Sequence, residues 1–310
     1  GIAAIIFDEF HERSLNADLG LALCLEVQEA LRPDLRLLVM SATLDGAAVA
    51  RLLGAGPPIT SEGRAYPVET NYLDKEPRGR FEEMVVSGVL RALSEESGDV
   101  LVFLPGEAEI RRVEAALTDE SRCRDLRIAP LYGSLAQEEQ DLALQPGERR
   151  RVVLATSIAE TSLTIEGVRV VVDGGRMRVP RFDPGSGMTR LETLTVSRAS
   201  ADQRRGRAGR LGPGVCYRLW TEPTHRTLPA HTPPEIQQAD LAPLALDLAQ
   251  WGTGEILDKI TELIPADDIL VDEYASLPKI AIVGQPNVGK STLLNALAGA
   301  YNLMLRNVAP

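Results

Sequence analysis

Short, unbroken apolar runs separated by amphipathic stretches narrow most sharply what this chain can fold into. The strand candidates are Ala3–Phe7, Leu35–Met40, Val100–Leu104, Leu126–Leu131, Arg151–Ala155, Arg169–Asp173, Gly214–Leu219 and Lys279–Val283. Most are rich in Val, Ile and Leu and lack polar alternation, the pattern of strands buried on both faces of a parallel sheet. Between them the apolar spacing becomes helical over Asn16–Leu31, Phe81–Leu93, Glu107–Leu117, Leu135–Leu144 and Ala201–Arg210. Strand–helix alternation of this kind predicts α/β architecture. Aromatics are only 4% of the 310 residues, so the core must be mostly aliphatic, and the length suggests about two domains.

Breaks in the pattern set the expected boundaries. Gly54-Ala-Gly-Pro-Pro58 reads as a loop or linker, and Pro229–Pro234 breaks the chain again. Glu235–Trp251 reads as one amphipathic helix, and acidic, irregular Ala266–Pro278 as linker. The first residue is a Gly directly before an apolar run, which reads as the start of a fragment. No apolar run approaches the roughly 20 residues of a membrane span, and no signal-peptide pattern opens the chain. Cys24, Cys123 and Cys216 form no disulfide framework or zinc spacing, so reducing cytoplasm is the expected compartment. The net charge is −11, but residues 176–210 carry nine arginines against three acids, a local basic patch suited to RNA or another single-stranded nucleic acid.

Several segments carry chemistry. Asp8 and Glu9 follow the first strand, where acids face the ligand crevice of an open α/β sheet. Asp8 could hold Mg²⁺ through water and Glu9 could polarise an attacking water; the same acids could instead cap the helix near Leu15. Ser41-Ala42-Thr43 follows the next strand. Ala155–Ile165 places five hydroxyls and an acid after a buried strand, as phosphate or ribose contacts or as a Thr-rich turn. Gln203-Arg-Arg-Gly-Arg-Ala-Gly-Arg210 puts Gln203, Arg207 and Arg210 on one face if helical. Guanidiniums so placed suit phosphate oxygens, or else form a solvated basic face. Gly284-Gln-Pro-Asn-Val-Gly289-Lys290-Ser291 matches a phosphate loop between a strand and the helix Ser291–Ala298.

In this order, and with Val102–Ile110 between, the first segments resemble the motifs of the DEAH-box helicases. The stretches DEFHERSLNADLGLAL, RFDPGSGMTRL and TPPEIQQADLAPLALDLAQWG resemble the HrpB type in particular. The likeness spans about residues 1–251. It implies parallel-sheet RecA-like lobes of the P-loop NTPase type: half of a first lobe over 1–65, a second lobe over 66–230 and the start of a winged-helix region over 231–251. It also implies ATP and Mg²⁺ between the lobes, and an RNA strand across them. Asp8, Glu9 and His11 would serve Mg²⁺, the hydrolytic water and coupling. Ser41 and Thr43 would link hydrolysis to unwinding, and Ser162 would sense the γ-phosphate. Thr164 and Glu166 would lie near the ribose, Gln203, Arg207 and Arg210 would face the γ-phosphate, and Gly106 and Thr156 would lie near the nucleic-acid backbone. Leu144 stands where relatives often place an aromatic ring on adenine. The family's phosphate loop, Gly-x-Gly-Lys-Thr, belongs upstream of Asp8, so this chain alone is expected to hydrolyse ATP negligibly.

Residues 279–310 resemble the start of a translation-factor-type GTPase domain, and with 252–278 as linker they look like the Der (EngA) family. That likeness implies nucleotide binding by Gly284, Asn287, Gly289, Lys290, Ser291 and Thr292, with Ser291 on Mg²⁺, and ribosome-related partners. No NKxD motif follows to read guanine, so useful GTP binding is not expected. The loop lies 276 positions beyond Asp8 and is expected not to complete the helicase site.

Overall fold

The apolar runs become parallel strands in the computed structural model of the chain, which describes residues 2–42, 46–54, 58–59, 66–160, 165–249 and 280–283, with only the backbone for 46–48 and 280–283. The described residues divide into two compact units. The larger takes Ser61–Pro180 and Leu191–Thr232; the smaller takes Gly1–Thr60, Arg181–Arg190 and the described residues from Pro233 onward.

The smaller unit holds β1 (Ala4–Phe7), α1 (Leu15–Ala30), β2 (Arg36–Val39), α2 (Gly46–Leu52) and β11 (Ile280–Val283). Ser14 starts α1, its side chain accepting from the Ala17 amide, so the acids at positions 8 and 9 are not this helix's cap. The helix stops at Leu31, two residues before Pro33. The three strands pair in the order β11-β1-β2, all parallel. Ile5, Phe7, Phe10, Leu21, Val27 and Leu35 form the core beneath them. The 276-position gap does not keep the C-terminal strand from the first one: β11 pairs with β1 along its whole length.

The larger unit is built on six parallel strands in the order β3-β10-β7-β4-β6-β5. These are β3 (Val68–Tyr72), β4 (Asp99–Phe103), β5 (Arg127–Leu131), β6 (Arg151–Ala155), β7 (Val168–Asp173) and β10 (Gly214–Arg218). Side chains alternate across a strand. Val100 and Val102 of β4 join one core cluster, with α3 (Phe81–Glu95) and α4 (Glu107–Asp119). Leu101 and Phe103 join the other. Burying each such side chain contributes about 1.5–3 kcal/mol, which is why these strands show no polar alternation. Arg151 is wholly buried at the start of β6, bonded to Asp99 and to the carbonyls of Ala143, Leu144 and Gln145.

Three expectations need correcting. The edge strand β3, Val-Glu-Thr-Asn-Tyr, was not among the strand candidates, because its polar residues belong to a strand paired on one side only. The basic stretch contains a hairpin, β8 (Arg176–Asp183) and β9 (Met188–Thr195), closed by Asp183 accepting from the Gly185 amide and the Ser186 hydroxyl. Glu235–Trp251 is not one helix. Glu235–Gln237 is a 3-10 turn and residues 242–249 start afresh, where Asp240 accepts from the Ala242 amide and Pro243 sits in a first turn that needs no N–H from it.

Candidate functional site

In the smaller unit the chain leaves β1 at Phe7 and turns sharply. Glu9 and Arg13 both have φ near +50°, flanking the 3-10 turn Phe10–Glu12. The turn is tied to the end of β2: Met40 donates its amide to the Phe7 carbonyl, and Phe10 donates to that of Met40. Phe10 is buried and anchors the turn, while Arg13 forks onto the Asp18 carboxylate at 2.9–3.2 Å. Asp8 and Glu9 stay half-buried at the sheet edge, and Asp8 Oδ1 accepts from the Glu9 amide at 2.9 Å. His11 Nδ1 lies 3.3 Å from Glu9 Oε2 and 3.4 Å from the Ala42 amide. A protonated ring can donate to Glu9, and a neutral ring protonated on Nε2 can accept from Ala42. His11 therefore joins the acid pair to the Ser41-Ala42 stretch, with Ser41 exposed beside it. Thr43 lies outside the described residues.

In the larger unit, α6 (Arg198–Gly206) is capped by Ser197, whose side chain accepts from the Ser200 amide at 3.1 Å. The helix tightens to a 3-10 turn at Arg207–Gly209, so Gln203, Arg207 and Arg210 depart from uniform α-helical spacing. Gln203 is half-buried, Arg210 is exposed, and Arg207 is 7% exposed, with Nη2 on the Glu160 carbonyl. A Cβ at Gly209 would fall 2.6 Å from the Tyr66 carbonyl, so only glycine lets this turn pack there.

Arg204 is the residue that motif reading missed. It is fully buried, with Glu160 at 2.6 Å, Asp173 at 2.8 Å and the Phe103 ring 4.8 Å from its guanidinium carbon. Burial pushes its pKa down, but the two carboxylates more than offset this and hold it above the usual range. Ser200 donates a further hydrogen bond to Glu160. The turn after β6 is thereby pinned to α6. The expected basic patch is correspondingly smaller, because Arg204 and Arg207 point inward.

Gly106 and Thr156 follow β4 and β6, which are neighbours with Phe103 opposite Ala155, so both residues sit on one edge of the sheet. Gly106 caps α4, and a Cβ there would fall 2.5 Å from the Arg178 guanidinium. Arg178 Nη2 donates to Glu109 at 3.1 Å, which places a half-exposed cation beside Gly106. Glu166 is exposed. Leu144 packs partly buried against the core, and its carbonyl accepts from Arg151. Ser162, Thr164, Gly284, Asn287, Gly289, Lys290, Ser291 and Thr292 lie outside the described residues. Among the described residues, no group of three or more His, Cys, Asp or Glu side chains could hold a metal, and no helix is long and apolar enough to cross a membrane.

Residues 83–212 match the helicase conserved C-terminal domain, and residues 279–309 match the 50S ribosome-binding GTPase family. The chain is 49% identical over 257 residues to the Escherichia coli ATP-dependent RNA helicase HrpB, covering 82% of this chain and 32% of that protein. It is 41% identical over 265 residues to the pre-mRNA-splicing factor ATP-dependent RNA helicase prp22 of Schizosaccharomyces pombe, covering 83% of this chain and 22% of that one. A crystal structure of the E. coli DExH-box NTPase HrpB superposes with a TM-score of 0.73 at 44% identity, over 86% of this chain and 35% of the other. The chain thus spans about a third of the length of HrpB. An acid pair after one parallel strand, a buried arginine network behind a Gln-Arg-Arg-Gly-Arg helix and this identity converge: the chain is homologous over most of its length to part of the HrpB-type DEAH-box helicases.

Proposed function

We propose that this chain is the part of an ATP-dependent RNA helicase that carries its acid pair, its arginine helix and an RNA-facing sheet edge. The observation that carries the reading is the order of its parts. Asp8, Glu9 and His11 stand together in one unit; in the other, Gln203 lies in α6 and Arg207 and Arg210 in the tight turn that follows it. Mg²⁺ fits the donors of the first group, since it needs only one or two carboxylates when phosphates and waters complete its shell. Bound there with ATP, it would neutralise charge building on the transferred phosphoryl group. Asp8 would hold it through water, with the Asp8 carboxylate fixed by the Glu9 amide. Glu9, against His11, would orient the attacking water. Arg207 and Arg210 would meet phosphate charge, their helix held in place by Arg204. Thr164 and Glu166 would serve the ribose, and Ser41, Thr43 and Ser162 would couple hydrolysis to movement along RNA.

RNA would lie along the edge that carries Gly106 and Thr156, with Arg178 next to it. Such a helicase would work in the cytoplasm, and ribosomal RNA suits the residues 279–309 family match. The test is the affinity of the full chain for a fluorescent single-stranded RNA at 50 and 200 mM salt. With about three phosphates neutralised, binding should weaken by at least about tenfold over that range. Arg178→Ala should flatten the dependence. No binding at low salt, or an affinity indifferent to salt, overturns the assignment.

A further inference from the structure

The larger sheet has a second group of strand ends besides those that lead to Gly106 and Thr156. Strands β3, β10 and β7 are neighbours whose carboxyl ends align, with Tyr72 opposite Arg218 and Arg218 opposite Asp173. The residues just beyond them line one cavity of about 220 Å³: 76–81 after β3, 174–176 after β7, and Leu219 and Trp220 after β10. Ligands of open parallel sheets bind outside the carboxyl ends of their strands.

The hydrogen-bonding groups left over around this cavity are donors. Arg78, Arg80 and Arg176 line it, and Glu76 is the one acid among the described lining residues. The Glu76 carboxylate is already engaged by the hydroxyls of Thr221, at 2.7 Å, and Thr224. Among the described residues none of the three guanidiniums is ion-paired, whereas Arg91 on α3 and Arg112 on α4 hold Glu95 and Glu82. Arg176 instead lies on Phe81, its guanidinium carbon 4.5 Å from the ring centre. Trp220 is only 6% exposed, and its Nε1 is buried with no hydrogen-bond partner among the described residues. Guanidinium and indole nitrogens can only donate, so the cavity calls for a ligand rich in acceptors.

Charge narrows the class. Three arginines against one acid leave two positive charges in excess. A phosphate monoester carries about −1.5 to −2 at neutral pH, and guanidiniums fork onto its oxygens. Phe81, Met84, Leu219 and Leu228 form an apolar wall beside the arginines, which suits a phosphate attached to an apolar body. The outer face of the Arg176 guanidinium is a plane of the kind on which bases stack.

We propose that this cavity binds a nucleoside monophosphate, free or at the end of an RNA strand. The phosphate meets Arg78, Arg80 and Arg176, the nucleoside lies against the apolar wall, and an acceptor of the ligand satisfies Trp220 Nε1. The site lies wholly within the larger unit and uses none of the residues assigned above to hydrolysis or to the RNA-facing edge.

The test follows the indole N–H signal of Trp220 by NMR in the full chain, with Trp220→Phe assigning it against Trp251, during titration with 5′-AMP. The signal should move and saturate, adenosine should leave it in place, and inorganic phosphate should bind at least about tenfold more weakly than AMP. Arg80→Gln and Arg176→Gln, at two exposed positions, should each weaken AMP binding about tenfold. Arg178→Ala should not change it, so failure here is distinguishable from failure of the RNA reading. A tetranucleotide with a 5′-phosphate, compared with its 5′-hydroxyl form on the same signal, separates the two sources. Preference for the phosphorylated form assigns an RNA end; no preference, alongside AMP binding, assigns the free nucleotide. Four outcomes overturn the site: no movement of the Trp220 signal at about 10 mM AMP, adenosine binding as well as AMP, inorganic phosphate binding as tightly as AMP, or an AMP affinity indifferent to both arginine substitutions.

Discussion

The two sheets use similar strand chemistry and bury it differently. In the six-stranded sheet Val100, Leu101, Val102 and Phe103 are each fully buried, two on each face. In the three-stranded sheet β1 is buried through Ile5, Ile6 and Phe7, but β2, Arg-Leu-Leu-Val, leaves Leu38 49% exposed. A run of apolar residues thus specifies a strand without specifying how many layers cover it. The charges follow the same division. The large sheet takes Asp173, Arg204 and Arg151 into its interior, whereas the small sheet keeps Asp8 and Glu9 half-exposed at its edge.

The sharpest way to break this comparison is at the buried ion network. Asp173→Ala removes one of the carboxylates facing Arg204 and should cost the larger unit about 3–5 kcal/mol, as expected when a buried charge loses a partner. Urea unfolding followed by hydrogen exchange on β7 and α6 peptides measures it. A loss below about 1 kcal/mol would mean that Glu160 alone compensates Arg204, and the interior would then be less demanding than its burial implies.

A paired substitution sharpens the layer argument. Leu101→Ala should cost about 2–5 kcal/mol through the cavity it leaves. Leu38→Ala, half-exposed on β2, should stay within about 0.5 kcal/mol. Equal costs would show that both faces of the small sheet are covered in solution.

The smallest expected effect is a pH dependence confined to the larger unit. Burial, with help from nearby Arg218, lowers the pKa of His225 below its usual 6.5; Arg198 acts in the same direction, while Asp202 and Asp173 act against it. A base whose folded pKa is depressed binds protons more readily when unfolded. Stability is therefore full above about pH 6.5 and is lost as the pH falls from there toward the folded value. Urea midpoints at pH 7.5 and 5.5 should differ, and His225→Gln should narrow the gap. A gap unchanged in that variant assigns the dependence to carboxylates.

Much of this was legible in the sequence because burial leaves a periodic trace. Val100–Leu104 and Arg151–Ala155 read as two-faced strands and are such strands. The placements of Asp8, Gly106 and Thr156 beyond strand ends followed from the same runs. Arg204 left no such trace: its partners Glu160 and Asp173 lie 44 and 31 residues away, so only the fold brings them together. The hairpin β8–β9 was hidden for a different reason. Its arginines read as charge, although Arg-Met-Arg-Val alternates with period two. The helix read over 235–251 failed because Asp240 offered the backbone a competing bond.

The turn that carries Glu9 has a further consequence. Two non-glycine residues, Glu9 and Arg13, sit in left-handed backbone on either side of three residues, a conformation that costs each of order 1 kcal/mol or more. The fold keeps that tension because Phe10 is anchored in the core and the end of β2 holds the loop by two hydrogen bonds. The acid pair is therefore a loaded spring rather than a resting loop: any event that frees Phe10 would let the backbone relax and swing both carboxylates away from the sheet edge at once.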